Sequence, residues 1–434
     1  MLDPILEFIF NRTPIFYLIQ SLWRDEAFSY FMAKPDIIRV IMQTANDFNP
    51  PFYYLILHFW ITIVGKSDEW LRFLSFLPFI SSIYVAYLLA IKMFSKKFAI
   101  FVALFTFLNP MLVYYAFEMR MYSFYALFTF LSLYFFYTKN WKWYTISAVL
   151  GLYTQSFFLL VIISFLLCVL LLKPKNKKWG FIFLVLKPVF FYLPWIPVLI
   201  IQFFRSKDSW LFPVDFQLVK SVLGNIFTNY EGTPGHLWKY TAIFSLVIIF
   251  FILNAFRLKS KRKDALMLFI PIFFPLFLVL GYSIIKRPIY VNRYMIFVAV
   301  FEIMIILMGI WNIRKRFIRW TVSLMWIIFL VFFNIYIVPY HKKTDFRTTF
   351  LEINRLAKPF DYVYAKTPIG FLESAYYYKQ TNRVFIYNPE NITIPNYIGI
   401  TSTFSDVSKT EFPNSPSRVF LVDDEANYEL IINK

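Results

Sequence analysis

Ser21-Leu22-Trp23-Arg24-Asp25-Glu26-Ala27-Phe28-Ser29 sets two adjacent carboxylates into a short polar break near the start of a largely apolar chain. Of the 434 residues, 59% are hydrophobic, 23% aromatic and 16% charged, whereas soluble domains carry roughly a quarter charged residues. Apolar runs of about 20 residues recur along the chain, the length that crosses a bilayer as a helix. The polar break therefore reads as a loop of a multi-span membrane protein.

The chain before the break, residues 2–20, is a short first span interrupted by Asn11, Arg12 and Pro14. Its acidic start and lack of small residues do not fit a cleavable signal peptide. After the break, residues 23–49 are polar and amphipathic and read as an outer loop with one or two short surface helices. Asn49-Pro50-Pro51 follows, then Phe52–Val64, a run too short to span. Stronger runs lie at 71–91, 98–116, 121–138, 143–155, 157–172, 179–203, 238–256, 265–285, 294–313 and 320–339.

Basic clusters separate these runs: Lys92/Lys96/Lys97, Lys139/Lys142, Lys173/Lys175/Lys177/Lys178, Arg257/Lys259/Lys261/Arg262/Lys263 and Arg314/Lys315/Arg316/Arg319. Placing every cluster in the cytoplasm makes the runs cross in pairs. Asp25 then shares the outer face with the start of run 71–91 only if Phe52–Val64 lies on the outer surface as a juxtamembrane helix. The expected fold is an α-helical polytopic membrane protein of the cell (plasma or inner) membrane. It has about 11 transmembrane helices, the N-terminus inside and the C-terminus outside.

The net charge of +19 resides in the first 340 residues, which hold 33 basic and 14 acidic side chains; residues 341–434 hold 11 of each. Basic residues placed between apolar spans are explained by sidedness, so nucleic acid is not an expected partner. Cys168 is the single cysteine, which excludes an internal disulfide.

Two domains are expected. Residues 1–340 form a transmembrane catalytic domain, with outer loops at about 21–70 and about 204–237. Residues 341–434 form a small extracytoplasmic α/β domain. Its apolar runs shorten to strand length at Tyr362–Ala365, Val384–Tyr387, Val419–Val422 and Glu429–Ile432. Helical patterns at 346–357 and 369–380 alternate with them, which points to a partly parallel sheet. It contains no Gly-rich phosphate loop.

The residues able to carry chemistry lie on the expected outer face. Asp25 and Glu26 are either a solvated acidic pair or a general base with a companion that orients it or pairs with a cation. Lys286, Arg287 and Arg293 fall within eight residues, without an acid among them, on the side where basic residues are disfavoured. An anion site accounts for them, since guanidinium groups hold phosphate oxygens in bidentate fashion. Arg72 and Arg120 sit at outer ends of spans, as snorkelling residues or as part of the same cavity. Glu118-Met119-Arg120-Met121-Tyr122 adds a second acid, a candidate for acceptor or metal binding. Lys187 and Glu302 are ionisable residues inside spans, where they are costly and usually face a bundle interior. His58 and His236 lack ligand spacing. No metal cluster is assignable, and a divalent ion at the acids is left open.

In order and spacing, Trp23–Ser29, Asn49-Pro50-Pro51-Phe52-Tyr53-Tyr54, Gly65–Ser75 with Arg72, Glu118–Tyr122 and Arg293-Tyr294 resemble the C-type glycosyltransferases. The bacterial branch related to protein O-mannosyltransferases and aminoarabinose transferases is the most similar. The resemblance runs over about 20–380 and is strongest over 20–135. It implies a membrane-embedded inverting transferase whose donor is a sugar on a polyprenyl phosphate and whose acceptor is a glycan, lipid or protein. Asp25 then corresponds to the catalytic aspartate, Arg72 to an important arginine and Glu118 to a second acid. Arg120, Lys286, Arg287 and Arg293 would meet the donor phosphate, with Tyr122 and Tyr294 lining the site. Some relatives carry a phosphate-contacting lysine near the Pro-Pro turn, where this chain reads Asp47-Phe48-Asn49. The competing reading is a transporter or flippase of a lipid-linked or anionic solute, which would place acids at mid-membrane in two related halves; no such halves are visible.

Overall fold

The computed structural model describes residues 2–174, 176, 178–205, 211–395 and 398–433. Lys175 and Lys177 of one basic cluster, and residues 206–210 of the loop at 204–237, lie outside the described residues. The chain forms two compact units: residues 1–15, 72–201 and 209–340 make one, and residues 16–71, 202–208 and 341–434 the other.

Among the described residues, six helices are long and apolar enough to cross a membrane: Asp68–Met93, Lys178–Arg205, Gly235–Ala255, Lys259–Ile285, Asn292–Trp311 and Arg316–Leu356. A seventh arises if Lys96–Leu108 and Pro110–Ala116, bent by 58° at their junction, count as one span. The bend follows from Asn109-Pro110: a residue before proline is pushed out of the α region, and Asn109 instead caps the second helix through the Leu112 N–H at 3.1 Å. The expected count of about 11 is not reached by this measure. Tyr122–Thr138, Trp141–Thr154 and Phe158–Leu172 are helices of 17, 14 and 15 residues, shorter than the ~20 residues of a full crossing. Phe52–Val64 is a 13-residue apolar helix, short as its sequence suggested.

In the first unit, Asn292–Trp311 supplies the central helix, with every side chain from Ile296 to Ile310 buried. Its close packing rests on Gly309, where an added Cβ would stand 2.1 Å from the Phe251 carbonyl oxygen. Asn254 Nδ2 donates to the Gly309 carbonyl at 2.6 Å, and Asn312 Nδ2 donates to the Asn254 and Ala255 carbonyls at 3.1 and 3.0 Å. Small residues and side-chain amides are how helices associate where no hydrophobic drive separates them from lipid. Glu302 is fully buried on this helix, whereas Lys187 is exposed on its own helix.

The second unit joins the helices Arg24–Ala33, Ile37–Asn46 and Phe52–Val64 to the α/β segment. Five strands, β1 (Tyr362–Ala365), β2 (Val384–Tyr387), β3 (Ser408–Lys409), β4 (Ser417–Val422) and β5 (Tyr428–Asn433), form one sheet in the order β3-β2-β1-β4-β5. All neighbours pair parallel except β4 with β5; the register sets Val363 beside Val384 and Phe420. The partly parallel sheet is as the short buried runs implied, and helices Phe346–Leu356 and Phe371–Tyr377 fall within the helical patterns. Edge strand β3 has two residues, too few for a periodic signal. Gly399 adopts φ +83°, and a Cβ there would meet the Phe28 ring at 2.5 Å, so the segment reaches helix Arg24–Ala33 only as glycine.

Candidate active site

Asp25 and Glu26 occupy the first turn of helix Arg24–Ala33, where unpaired backbone N–H groups favour negative charge. They diverge there. Glu26 is 1% exposed and its Oε2 accepts the Trp23 N–H at 3.3 Å, so it closes the helix start. The Asp25 side chain keeps 14% exposure, with Arg24 Nε at 3.5 Å from its Oδ1. Lys343 lies over the Trp23 ring at 3.7 Å.

Sequence reading missed a third acid at this turn. Glu373, on helix Phe371–Tyr377, is buried and lies within electrostatic reach of Asp25 and Arg24. Burial pushes its carboxyl up to about 8, helped by the Asp25 charge and opposed by Arg24. Its Oε2 has no hydrogen-bond partner among the described residues. Aromatic contacts seat the two helices: Tyr30 meets Tyr376 edge-on at 5.0 Å, and Phe404 bridges Phe31 and Phe371 at 4.9 and 5.1 Å.

Beyond that turn lies a fully connected ionic joint. Asp68 accepts Arg347 Nε at 3.0 Å and Nη2 at 2.6 Å, the Tyr376 hydroxyl at 2.9 Å and the Tyr377 hydroxyl. Arg347 also pairs with Glu69 at 2.9 Å and donates to the Ile19 and Gln20 carbonyls. The Tyr377 hydroxyl in turn accepts the Leu22 N–H at 2.7 Å, so the chain entering the Asp25 helix is tied to the α/β segment. In the Pro-Pro neighbourhood, Asn49 Nδ2 donates to Asp47 Oδ2 at 3.1 Å, both side chains buried.

The first unit gathers several of the other expected residues. Arg72, Glu118 and Arg120 are buried at 1, 4 and 6% exposure. Ser75 Oγ donates to the Arg120 carbonyl at 3.2 Å, joining the Arg72 helix to the Glu118–Met121 turn. The Arg120 guanidinium stands 6.0 Å from the Tyr122 ring centre. Tyr122 packs on Tyr115 at 4.6 Å and faces Tyr294 at 6.5 Å. Glu118, Arg293 and Glu231 all lie within electrostatic reach of Tyr115. Glu231 was not singled out from the sequence; its signal is a lone acid in the turn-rich stretch Asn229–Pro234. Lys286 is exposed past the end of helix Arg262–Ile285 with no ion-pair partner among the described residues, Arg287 is half-buried, and Arg293 lies within electrostatic reach of Tyr115.

An apolar cavity of about 410 Å³ lies in the same unit, lined by Phe244, Phe329 and Phe333, with His236 Nε2 and the Tyr336 hydroxyl 2.7 Å apart beside it. His58 is held by the Ala33 carbonyl at 2.8 Å. No three His, Cys, Asp or Glu side chains converge among the described residues.

No protein-family model and no curated protein matches the sequence. Solved structures match in fold. ArnT from Cupriavidus metallidurans in the apo state is 10% identical, with a TM-score of 0.61 over 97% of this chain and 91% of that one. The Archaeoglobus fulgidus oligosaccharyltransferase complex with Zn and sulfate is 12% identical, with a TM-score of 0.54 over 97% of this chain and 67% of that one. Oligosaccharyltransferase AglB of the same archaeon, with an inhibitory peptide and a dolichol-phosphate, is 11% identical, with a TM-score of 0.51 over 88% and 63%. The chain thus shares its fold with ArnT and with the archaeal oligosaccharyltransferase.

Proposed function

We propose that this chain is an inverting glycosyltransferase that moves a sugar from a polyprenyl-phosphate donor to an extracytoplasmic hydroxyl of a glycan, lipid or protein. The observation that carries the reading is Asp25: within this fold, it is the carboxylate of the first helical turn that keeps solvent access while its neighbour Glu26 is committed to the helix end.

In the proposed reaction the acceptor oxygen attacks the anomeric carbon while Asp25 takes the hydroxyl proton. The bond from that carbon to the phosphate oxygen breaks, and polyprenyl phosphate leaves with the electron pair. Arg72, Arg120, Arg287 and Arg293 are assigned to the phosphate, whose negative charge grows as the bond opens. Lys286, exposed at a helix end, is assigned to its approach. Glu118 is assigned to the acceptor, and Tyr122 and Tyr294 to the walls. The aromatic cavity beside Tyr336 suits an isoprenoid chain. The membrane is the cell (plasma or inner) membrane, with residues 341–434 extracytoplasmic.

The test uses protein in lipid nanodiscs and radiolabelled lipid-linked sugars extracted from the producing cells. Free polyprenyl phosphate should be released by the wild type and not by Asp25→Asn, with both variants equally folded. Movement of intact donor without its cleavage would instead identify a transporter.

A further inference from the structure

We infer that Lys34 and Lys66 form a binding site for a phosphate monoester, seated on the touching rings of Tyr30 and Tyr376 at the end of helix Arg24–Ala33 opposite Asp25. Neither lysine is among the cations assigned to the donor phosphate, and the site does not depend on Asp25 acting as the base. Lys34 stands about 14 Å along the helix from Asp25.

Both ammonium groups rest on aromatic rings. Lys66 Nζ lies 4.6 Å from the centre of the Tyr376 ring and Lys34 Nζ 5.8 Å from the centre of the Tyr30 ring, within cation–π range. The two rings meet edge-on at 5.0 Å, and the Tyr376 hydroxyl is pinned by donating to Asp68 at 2.9 Å. The cations therefore share one ordered platform, and ordering them in advance lowers the cost of gripping a ligand. No acid neutralises them among the described residues. The nearby carboxylates are engaged elsewhere: Asp36 with Arg39 at 3.3 Å, Asp68 with Arg347 at 2.6 Å and Glu69 with Arg347 at 2.9 Å. Desolvation, then the Lys34 charge, draws the Lys66 ammonium below the ordinary lysine value against the pull of Asp68. An anion bridging the two lysines would relieve that repulsion. A phosphate monoester carries nearly two negative charges at neutral pH and several acceptor oxygens, which matches two ammonium groups. A single carboxylate would leave one of them unmatched. Exposed Ile37 and Ile38 follow Lys34 in the chain, and the candidate span Asp68–Met93 follows Lys66, which suits a phosphate at the head of a lipid as well as a free one.

Reductive methylation of the full-length protein in non-ionic detergent, read lysine by lysine by mass spectrometry, tests the site. The probes are glycerol phosphate and phosphatidic acid, with diacylglycerol as the phosphate-free control. A probe at about ten times its Kd should slow labelling of both Lys34 and Lys66 about tenfold and leave exposed Lys358 unchanged. Protection by both probes marks the phosphate group itself as the ligand; protection by phosphatidic acid alone marks a lipid headgroup, and by glycerol phosphate alone a free ester. Lys34→Met should weaken the protection of Lys66 about tenfold in Kd, because one charged contact is lost. Asp25→Asn should be protected as the wild type is, so a failed transfer reaction leaves this result intact. Protection by neither probe, equal protection by diacylglycerol, or undiminished protection of Lys66 in Lys34→Met would overturn the site.

Discussion

Asp68 and Glu373 are both buried acids of the second unit, and their surroundings differ sharply. Asp68 accepts two guanidinium contacts and two tyrosine hydroxyls, one of them from Tyr376, three residues along from Glu373 on the same helix. Glu373 is buried and keeps one oxygen without a partner among the described residues. One helix therefore presents tyrosines to a saturated ionic joint and an incompletely satisfied acid to the turn that bears Asp25. The joint is built to hold. Burying a charge without full compensation is expensive, so an incomplete buried acid beside an accessible carboxylate is a chemical signal, whereas a complete one is an architectural signal.

The strongest way to break this contrast is to open the joint. Arg347→Met leaves the Asp68 carboxylate buried with only the tyrosines, and breaking a buried pair costs about 3–5 kcal/mol. Since Arg347 keeps 30% side-chain exposure, about 3 kcal/mol is expected. Thermal unfolding of the solubilised protein measures it. Adding Asp68→Asn should recover part of the loss, because no charge is then stranded; a simply additive loss would mean that the joint carries no coupled charge.

The first unit offers a joint made without charge. Gly309→Ala drives a Cβ to 2.1 Å from the Phe251 carbonyl oxygen, and the helices must part at about 1–3 kcal/mol. This loss should be the same at pH 5 and pH 8. The stability of the wild type should not be. Glu373 holds its proton to about pH 8 when folded and releases it near the usual 4.5 when unfolded. Between those values the folded chain binds more protons, so its stability falls as pH rises across the window and levels off above it. Glu373→Gln should flatten that slope, and a slope unchanged in the variant would assign it to another group.

The two kinds of acid were unequally legible in the sequence. Strands β1 and β2 stood out as apolar runs of four residues, and Asp25 stood out because few charges break the early chain. These are local signals, carried by neighbours. Arg347 lies 279 positions from Asp68, and each is a single charge in a stretch with others, so no periodicity links them. Glu373 is hidden in the same way, inside a helix whose pattern reads as ordinary amphipathic packing. The cluster at 286–293 is close in sequence, yet its members fall on different elements: Lys286 follows the end of helix Arg262–Ile285, while Arg293 lies in the turn Asn292–Met295.

The smallest effect tests whether the joint depends on its helix start. Asp345 caps helix Phe346–Leu356 by accepting the Thr348 N–H at 3.2 Å and the Thr348 hydroxyl at 2.7 Å, and Arg347 sits in that first turn. The cap is exposed, so Asp345→Ala should cost about 1 kcal/mol. Part of that cost should come from fraying the turn that aims Arg347 at Asp68. In an Arg347→Met background there is nothing left to aim, and the cost of Asp345→Ala should shrink by about half. An undiminished cost would mean that Arg347 is held by its own contacts to Asp68, Glu69 and the backbone carbonyls, with the helix start as a bystander.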